Sequence, residues 1–247
     1  MSRPFLVAFF LLSLIIVPSY AKDQPLRVAV NPYSSPFVMR GNHQIYGFDI
    51  AMMDKLCEII NRDCQYVMMN FDQIIPSIMN KNVDLGISDI TITLERAKLV
   101  NFTMPYMTSR TSFLGKKELQ NSVITPTFLQ DKTIGVKQGS IFPQVIKSLG
   151  VTNPKIINFN EEGKIIDALI NGDIDLAMLE EPTAMYWQSN SSAVLAVIGK
   201  PITFGNGLGI AVNKDNAALL DSLNNAIKQY LNSKDFKTNY HMYLDFF

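Results

Sequence analysis

Among the residues whose type and place could do chemistry, the first is an arginine at what reads as the start of a helix. In residues 83–106, VDLGISDITITLERAKLVNFTMPY, Val83, Leu85 and Ile87 alternate with Asp84, Gly86 and Ser88, the period of a strand with one buried face. Thr93 then suits a helix N-cap, with Leu94, Glu95 and Arg96 as the first turn. A cation there faces the positive end of the helix dipole, a conflict that a bound anion would resolve. The chemistry implied is capture of a carboxylate by the Arg96 guanidinium in a two-pronged bond, with backbone N–H groups near Thr91 as further donors. A plain surface arginine is the competing reading of the same stretch.

Comparing the chain with itself adds a second group. Residues 74–89, IIPSIMNKNVDLGISD, align without gaps on residues 165–180, IIDALINGDIDLAMLE. Ile74, Ile75, Asn80, Asp84 and Leu85 recur as Ile165, Ile166, Asn171, Asp175 and Leu176. Upstream, LRVAVNPYSSPF has a looser echo in KTIGVKQGSIF, again a strand followed by a small-residue loop. Two copies of an α/β unit suggest two similar lobes, whereas a solenoid needs several copies at short period. The alignment sets Asp89 against Glu180, so each unit would end its strand on an acid. Glu180 also precedes Glu181 and Pro182, so an ordinary acid at a helix start competes with a binding role.

These groups need elements to hold them, and the chain's ends bound what those can be. Arg3, the apolar run 5–17 and Ser19-Tyr20-Ala21 read as a cleavable export signal over residues 1–21; the run is short for a membrane span and Pro18 breaks it. Removing it takes away Arg3 alone among the 22 basic residues, leaving 21 against 22 acidic ones, a balance that gives no reason to expect nucleic acid or an anionic membrane as partner. Cys57 and Cys64 are the only cysteines, and in an exported chain such a pair is expected to be a disulfide and not a metal or redox site. His43 and His241 have no spacing suited to a metal or a nucleophile.

The periodicity predicts strands at 26–30 and 65–69, a helix through Ile50, Met53, Leu56, Cys57 and Ile60, and another over 71–79. A second unit runs to about residue 202, Phe204-Gly205-Asn206-Gly207 is a flexible crossing, and a strand at 208–212 precedes helices at 217–231 and 236–243. If that last portion returns to the first unit, two segments near 106–111 and 203–208 cross between lobes, the layout of a hinge. The expected fold class is α/β, two lobes each with a central sheet flanked by helices. The first lobe takes 22–107 plus 208–247 and the second 108–207.

With GFDIAMMDKL, LCEIINRDC, FDQIIPSI, the 83–106 stretch, GVKQGS and GIAVNKDNAALLDSLNNAIKQYL in that order, the mature chain resembles the periplasmic solute-binding proteins for polar amino acids, the receptors of ABC importers. LCEIINRDC is similar to the cysteine-bridged helix end of the branch that takes arginine, lysine, ornithine or histidine. The resemblance implies a two-lobed Venus flytrap fold that closes on its ligand. It assigns Arg96 to the ligand α-carboxylate with Thr91 beside it, Glu180 to the α-ammonium, Phe71 to the ligand side chain, and Gln138, Gly139 and Ser140 to a loop closing over the carboxylate. For Phe71 a plain core role competes.

Some positions depart from the family pattern. Asp89 stands where Gly or Ser is usual, Asn31 where basic-ligand binders often carry an acid, and Ile141 where a hydroxyl is frequent. Tyr33 is one place away from the loop aromatic, with Ser34 in the matching position. The expectation is that Asp89 takes a cationic contact and the ligand is a basic L-amino acid, against the alternative of a solvated acid near the hinge. Partners are then an amino acid and a membrane permease, with no cofactor or metal, no membrane insertion after signal removal, and a monomeric chain. Two other readings stay open: an exported prephenate or arogenate dehydratase-like enzyme using Glu180 or Asp89 as general acid, and a soluble ligand-sensing subunit.

Overall fold

The structure is a computed structural model that describes residues 24–245, so the expected export signal lies outside the described residues. Two five-stranded sheets are built on one plan. In the first the order is Cys64–Met68, Leu26–Val30, Leu85–Gly86, Ala211–Val212 and Asn101–Phe102; in the second it is Lys155–Phe159, Thr133–Lys137, Leu176–Glu180, Arg110–Lys116 and Leu195–Thr203. In each, the first three strands are parallel and the fourth runs antiparallel to both its neighbours. Parallel neighbours need a crossover, and helices such as Phe48–Ile59, Phe71–Met79 and Glu162–Asn171 supply it, burying an apolar stripe on the sheet. A small sheet of Tyr33–Ser34, Val38–Arg40 and Ile45–Tyr46 follows the first strand.

The internal repeat has a physical basis in the two aspartates it shares. Asp84 Oδ2 accepts from the Arg27 backbone N–H at 2.8 Å, and Asp175 Oδ2 accepts from that of Thr133 at 2.8 Å. The aspartate amides return the bond, to the Arg27 and Thr133 carbonyls, at 2.9 Å each. In each lobe one Asp thus satisfies both polar groups of a residue at the start of a buried strand, pinning that strand beside the next.

Two stretches are shorter than the periodicity predicts. Only Leu85–Gly86 joins the ladder in the 83–88 stretch, because the chain turns out of it at Asp89, whose φ is 44°. The helix after Thr93 is the single turn Leu94–Ala97, too short for a macrodipole to hold an anion, so whatever positions Arg96 lies elsewhere. The helices at the chain's end extend as Ala217–Leu231 and Lys234–Tyr243, and Leu219, Leu223 and Ile227 pack into the first lobe's core with Met53 and Leu56.

The chain passes between the sheets at residues 103–109 and again at 204–210, where Leu208 bridges both Thr91 and Met107. Among the described residues no helix is long and apolar enough to cross a membrane.

Cys57 and Cys64 form a disulfide with Cα atoms 6.2 Å apart, across the turn where Asn61 takes φ 53°. Closing this short loop should stabilise the fold by about 2–3 kcal/mol in the chain-entropy model. The double change Cys57→Ser with Cys64→Ser is therefore expected to lower the urea midpoint. Cys64 begins its strand, at the end of the sheet away from the cleft described next, so ligand affinity should not change.

Candidate functional site

The carboxyl ends of the parallel strands, where open α/β sheets meet ligands, face each other across the two lobes. Asp89 lies just past Leu85–Gly86, Lys137 ends Thr133–Lys137, and Glu180 ends Leu176–Glu180. With Phe71, Thr91, Arg96, Ser140, Ile141 and Phe142 they line one cleft. Thr93 caps its helical turn by accepting from the Arg96 backbone N–H at 3.2 Å. The guanidinium then donates through Nη1 to the Thr91 carbonyl at 2.8 Å and through Nη2 to the Gly139 carbonyl of the other lobe at 3.0 Å. It also sits 5.4 Å from the centre of the Phe71 ring.

Further contacts cross the cleft. Thr91 Oγ1 donates to Glu180 Oε1 at 3.0 Å. Lys137 Nζ donates to Ser34 Oγ at 2.5 Å, lies 3.5 Å from Asp89 Oδ2, and stands 5.2 Å above the Phe71 ring. At Gly139, with φ 77°, a Cβ would stand only 2.7 Å from that of Asp72, so the loop reaches the first lobe only because it carries glycine. The lobes are shut, and about 10 Å³ of space is left between these groups. That is about the least room one water molecule needs, roughly 10–15 Å³ on the same measure, so an amino acid enters only when the lobes part.

Charge is concentrated and short of partners. Burial, with Asp89 nearby adding to it, pushes the Glu180 carboxyl up to about 8 against the opposing pull of Thr91, Lys137 and Arg96. Asp89 is raised by burial too, although Lys137, Ser34 and Arg96 work against it. Burial brings Arg96 down to about 10, with Glu180 and Asp89 opposing. Asp89 Oδ1 and Glu180 Oε2 have no hydrogen-bond partner, so each lobe presents one unused carboxylate oxygen to this cleft. Asp89 has Lys137 as its neighbouring cation, through Oδ2, whereas Glu180 is met only by the Thr91 hydroxyl.

Of the residues singled out from the sequence, Phe71, Asp89, Thr91, Arg96, Ser140 and Glu180 come together in the cleft, and Gly139 meets Arg96 through its carbonyl. The others lie elsewhere. Gln138 is exposed and bonded to the Phe159 carbonyl through its backbone. Asn31 is fully buried, donating to the Met69 carbonyl at 3.1 Å. Tyr33 lines a separate outer groove.

Two participants escaped the sequence reading. Lys137 was passed over inside GVKQGS, although a lysine closing an apolar strand is a usable signal, since lysines are seldom buried without a partner. Asp49 accepts from the Asp89 backbone N–H at 2.7 Å and from Tyr106 Oη at 3.2 Å, which holds Asp89 in its left-handed conformation; burial raises its carboxyl to about 7. Nothing in GFDIAMM separates it from an ordinary first-turn acid. Among the described residues no group of His, Cys, Asp and Glu is arranged to hold a metal ion.

Residues 26–246 match the sequence profile of the bacterial extracellular solute-binding proteins, family 3. The ABC transporter arginine-binding protein 1 of Escherichia coli (strain K12) is 32% identical over 208 residues, which cover 83% of this chain and 84% of that protein. Among solved structures, an ancestral arginine-binding protein bound to arginine superposes with a TM-score of 0.81 at 27% identity, covering 89% of this chain and 97% of the other. An ancestral amino acid-binding protein described as a precursor of cyclohexadienyl dehydratase gives 0.80 at 27% identity, covering 90% and 96%.

Proposed function

The chain belongs to the bacterial extracellular solute-binding proteins, family 3, and from that premise we propose that it is a periplasmic receptor that binds a basic L-amino acid and hands it to the permease of an ABC importer. The observation that carries this reading is the pair of unused carboxylate oxygens, one from each lobe, in the cleft that also holds the Arg96 guanidinium. Arg96 takes the α-carboxylate, with Thr91 and Ser140 alongside, and Glu180 takes the α-ammonium. Asp89 receives the side-chain cation over the face of Phe71. In the shut form Lys137 itself places an ammonium among Phe71, Ser34 and Asp89, which shows that the place suits a cation and that the ligand's cation must displace it. Opening about the crossings at 103–109 and 204–210 admits the ligand, and the closed form is favoured because only there do Arg96, Glu180 and Asp89 act on one molecule. The arginine-binding relatives and the export signal expected at 1–21 support the same reading.

Calorimetry on the mature protein with arginine, lysine, ornithine, histidine, glutamine and glutamate tests it. Basic ligands should bind tightest; a preference for glutamate would overturn the assignment.

Binding that starts from the shut, unliganded form should also release protons. The Glu180 carboxyl, near 8 in the shut cleft against an ordinary 4.5, is protonated at pH 7; an ammonium beside it favours the ionised form. The raised value favours the free closed form at low pH, and this advantage fades as pH climbs from about 4.5 to about 8. Affinity therefore rises with pH across that window. At pH 7 the binding enthalpy should differ between buffers of different ionisation heat, and an unchanged enthalpy would take Glu180 away from the ammonium.

That same raised carboxyl is the one observation favouring a second reading, an enzyme with Glu180 as general acid. Incubation with prephenate or arogenate separates the two: an aromatic product establishes the dehydratase, and its absence leaves the receptor.

A further inference from the structure

A second cavity, of about 500 Å³, opens beside the cleft and shares none of its lining residues. Its walls come from both lobes: Tyr33 and Tyr46 from the small sheet of the first, and Glu162, Tyr186 and Trp187 from the second. The Tyr186 and Trp187 rings meet edge-on at 5.4 Å. Glu162 begins the helix Glu162–Asn171 and is 2% exposed. Its Oε1 accepts from Trp187 Nε1 at 2.6 Å, whereas Oε2 makes no hydrogen bond of ordinary geometry, although the Ser35 backbone lies near enough to lower the carboxyl pKa.

A carboxylate oxygen that is buried and short of donors is costly wherever it occurs, and here it borders a roomy, aromatic-walled groove. The helix start alone does not explain it, because the acid is covered by the opposite lobe. Arg40, the other charged group on this groove, is exposed at the rim. Burial pushes the Glu162 carboxyl up to about 7, with Lys137 opposing and Asp89 adding from the neighbouring cleft.

We propose that this groove is a second binding site, separate from the amino-acid cleft, for a compact organic cation that carries N–H donors, a guanidinium or primary alkylammonium, with Glu162 as its counter-ion and the aromatic rings as its walls. The missing donor at Oε2 selects N–H-bearing cations over quaternary ones. Since both lobes supply the walls, the cation is held only when they are together. It thereby favours the closed form and raises amino-acid affinity, and by linkage the amino acid raises cation affinity by the same factor.

Trp187 is the chain's sole tryptophan and lines the groove, so its emission responds when the groove is filled. The mature protein is titrated with methylguanidinium chloride against sodium chloride of equal ionic strength. A saturable change is expected in the wild type and also in Arg96→Ala, whose amino-acid cleft is disabled; thus a failed groove and a failed cleft reading are told apart. Glu162→Gln should weaken the response about tenfold or more, the usual worth of a charge-assisted bond. Tyr46→Ala, at a position 41% exposed and so tolerant of change, should weaken it as well and serves if Glu162→Gln does not fold. Tetramethylammonium should bind poorly. A response that never saturates, or one equal to wild type in both variants, overturns the proposal.

Discussion

Arg96→Ala is expected to weaken amino-acid binding at least about 100-fold, because the ligand carboxylate would lose a pair of charge-assisted hydrogen bonds worth roughly 1.5–3 kcal/mol each. A guanidinium has five N–H donors in a rigid fork. Here one goes to the Thr91 carbonyl and one to Gly139, so both lobes hold the group in the shut form. The remaining donors suit a carboxylate, and the planar fork lets one side chain serve protein and ligand together. Arg96→Lys, a single point of charge, cannot span those partners and should fall between wild type and alanine. The loss has a second component. Arg96 lowers the pKa of both Asp89 and Glu180, so its removal pushes those carboxyls further up and leaves them more fully protonated when an ammonium arrives. The single turn Leu94–Ala97 has no buried residue, so the variant should melt near the wild-type temperature while the calorimetric signal disappears. Near-normal affinity would remove Arg96 from the site and, with it, the orientation proposed for every other contact.

What the sequence made legible follows from how local each cause is. The repeat was readable because Asp84 and Asp175 each do their work on the backbone beside them in the sheet, and a shared job leaves a shared residue. Arg96 was readable from its cap, yet the helix-dipole conflict that drew attention to it does not exist in a single turn; contacts from two lobes hold it instead. Tyr33 and Ser34 show the limit of reading by position. Adjacent strand residues point to opposite faces, so placing Ser34 against Lys137 turns Tyr33 to the outer groove. Lys137 and Asp49 were out of reach for a different reason. Their partners lie 48 and 40 residues away in the chain, and only the folded sheets bring Asp89 to both.

Asp89→Asn is expected to change which ligand is preferred as well as how tightly it binds. Asparagine tolerates the left-handed backbone at this position and keeps the amide bonded to Asp49, so the loop should hold its shape. The carboxylate charge is what goes. Lys137 Nζ is then left with Ser34 Oγ and the Phe71 ring, a buried cation without its counter-charge. An arginine or lysine ligand loses twice, since its side-chain cation finds no Asp89 and meets an unneutralised Lys137. Glutamine loses neither, because Arg96 and Glu180 hold its two backbone charges as before. The ratio of arginine to glutamine affinity should therefore drop about tenfold or more, each charge-assisted bond being worth roughly 1.5–3 kcal/mol. Adding Lys137→Met separates attraction from repulsion. If Asp89 selects the ligand by attraction, the double variant regains stability in the closed form but not the preference for arginine. Recovery of that preference would mean that repulsion by Lys137 accounts for the change. An equal loss for all ligands would show that Asp89 shapes the loop through Asp49 and does not choose the ligand.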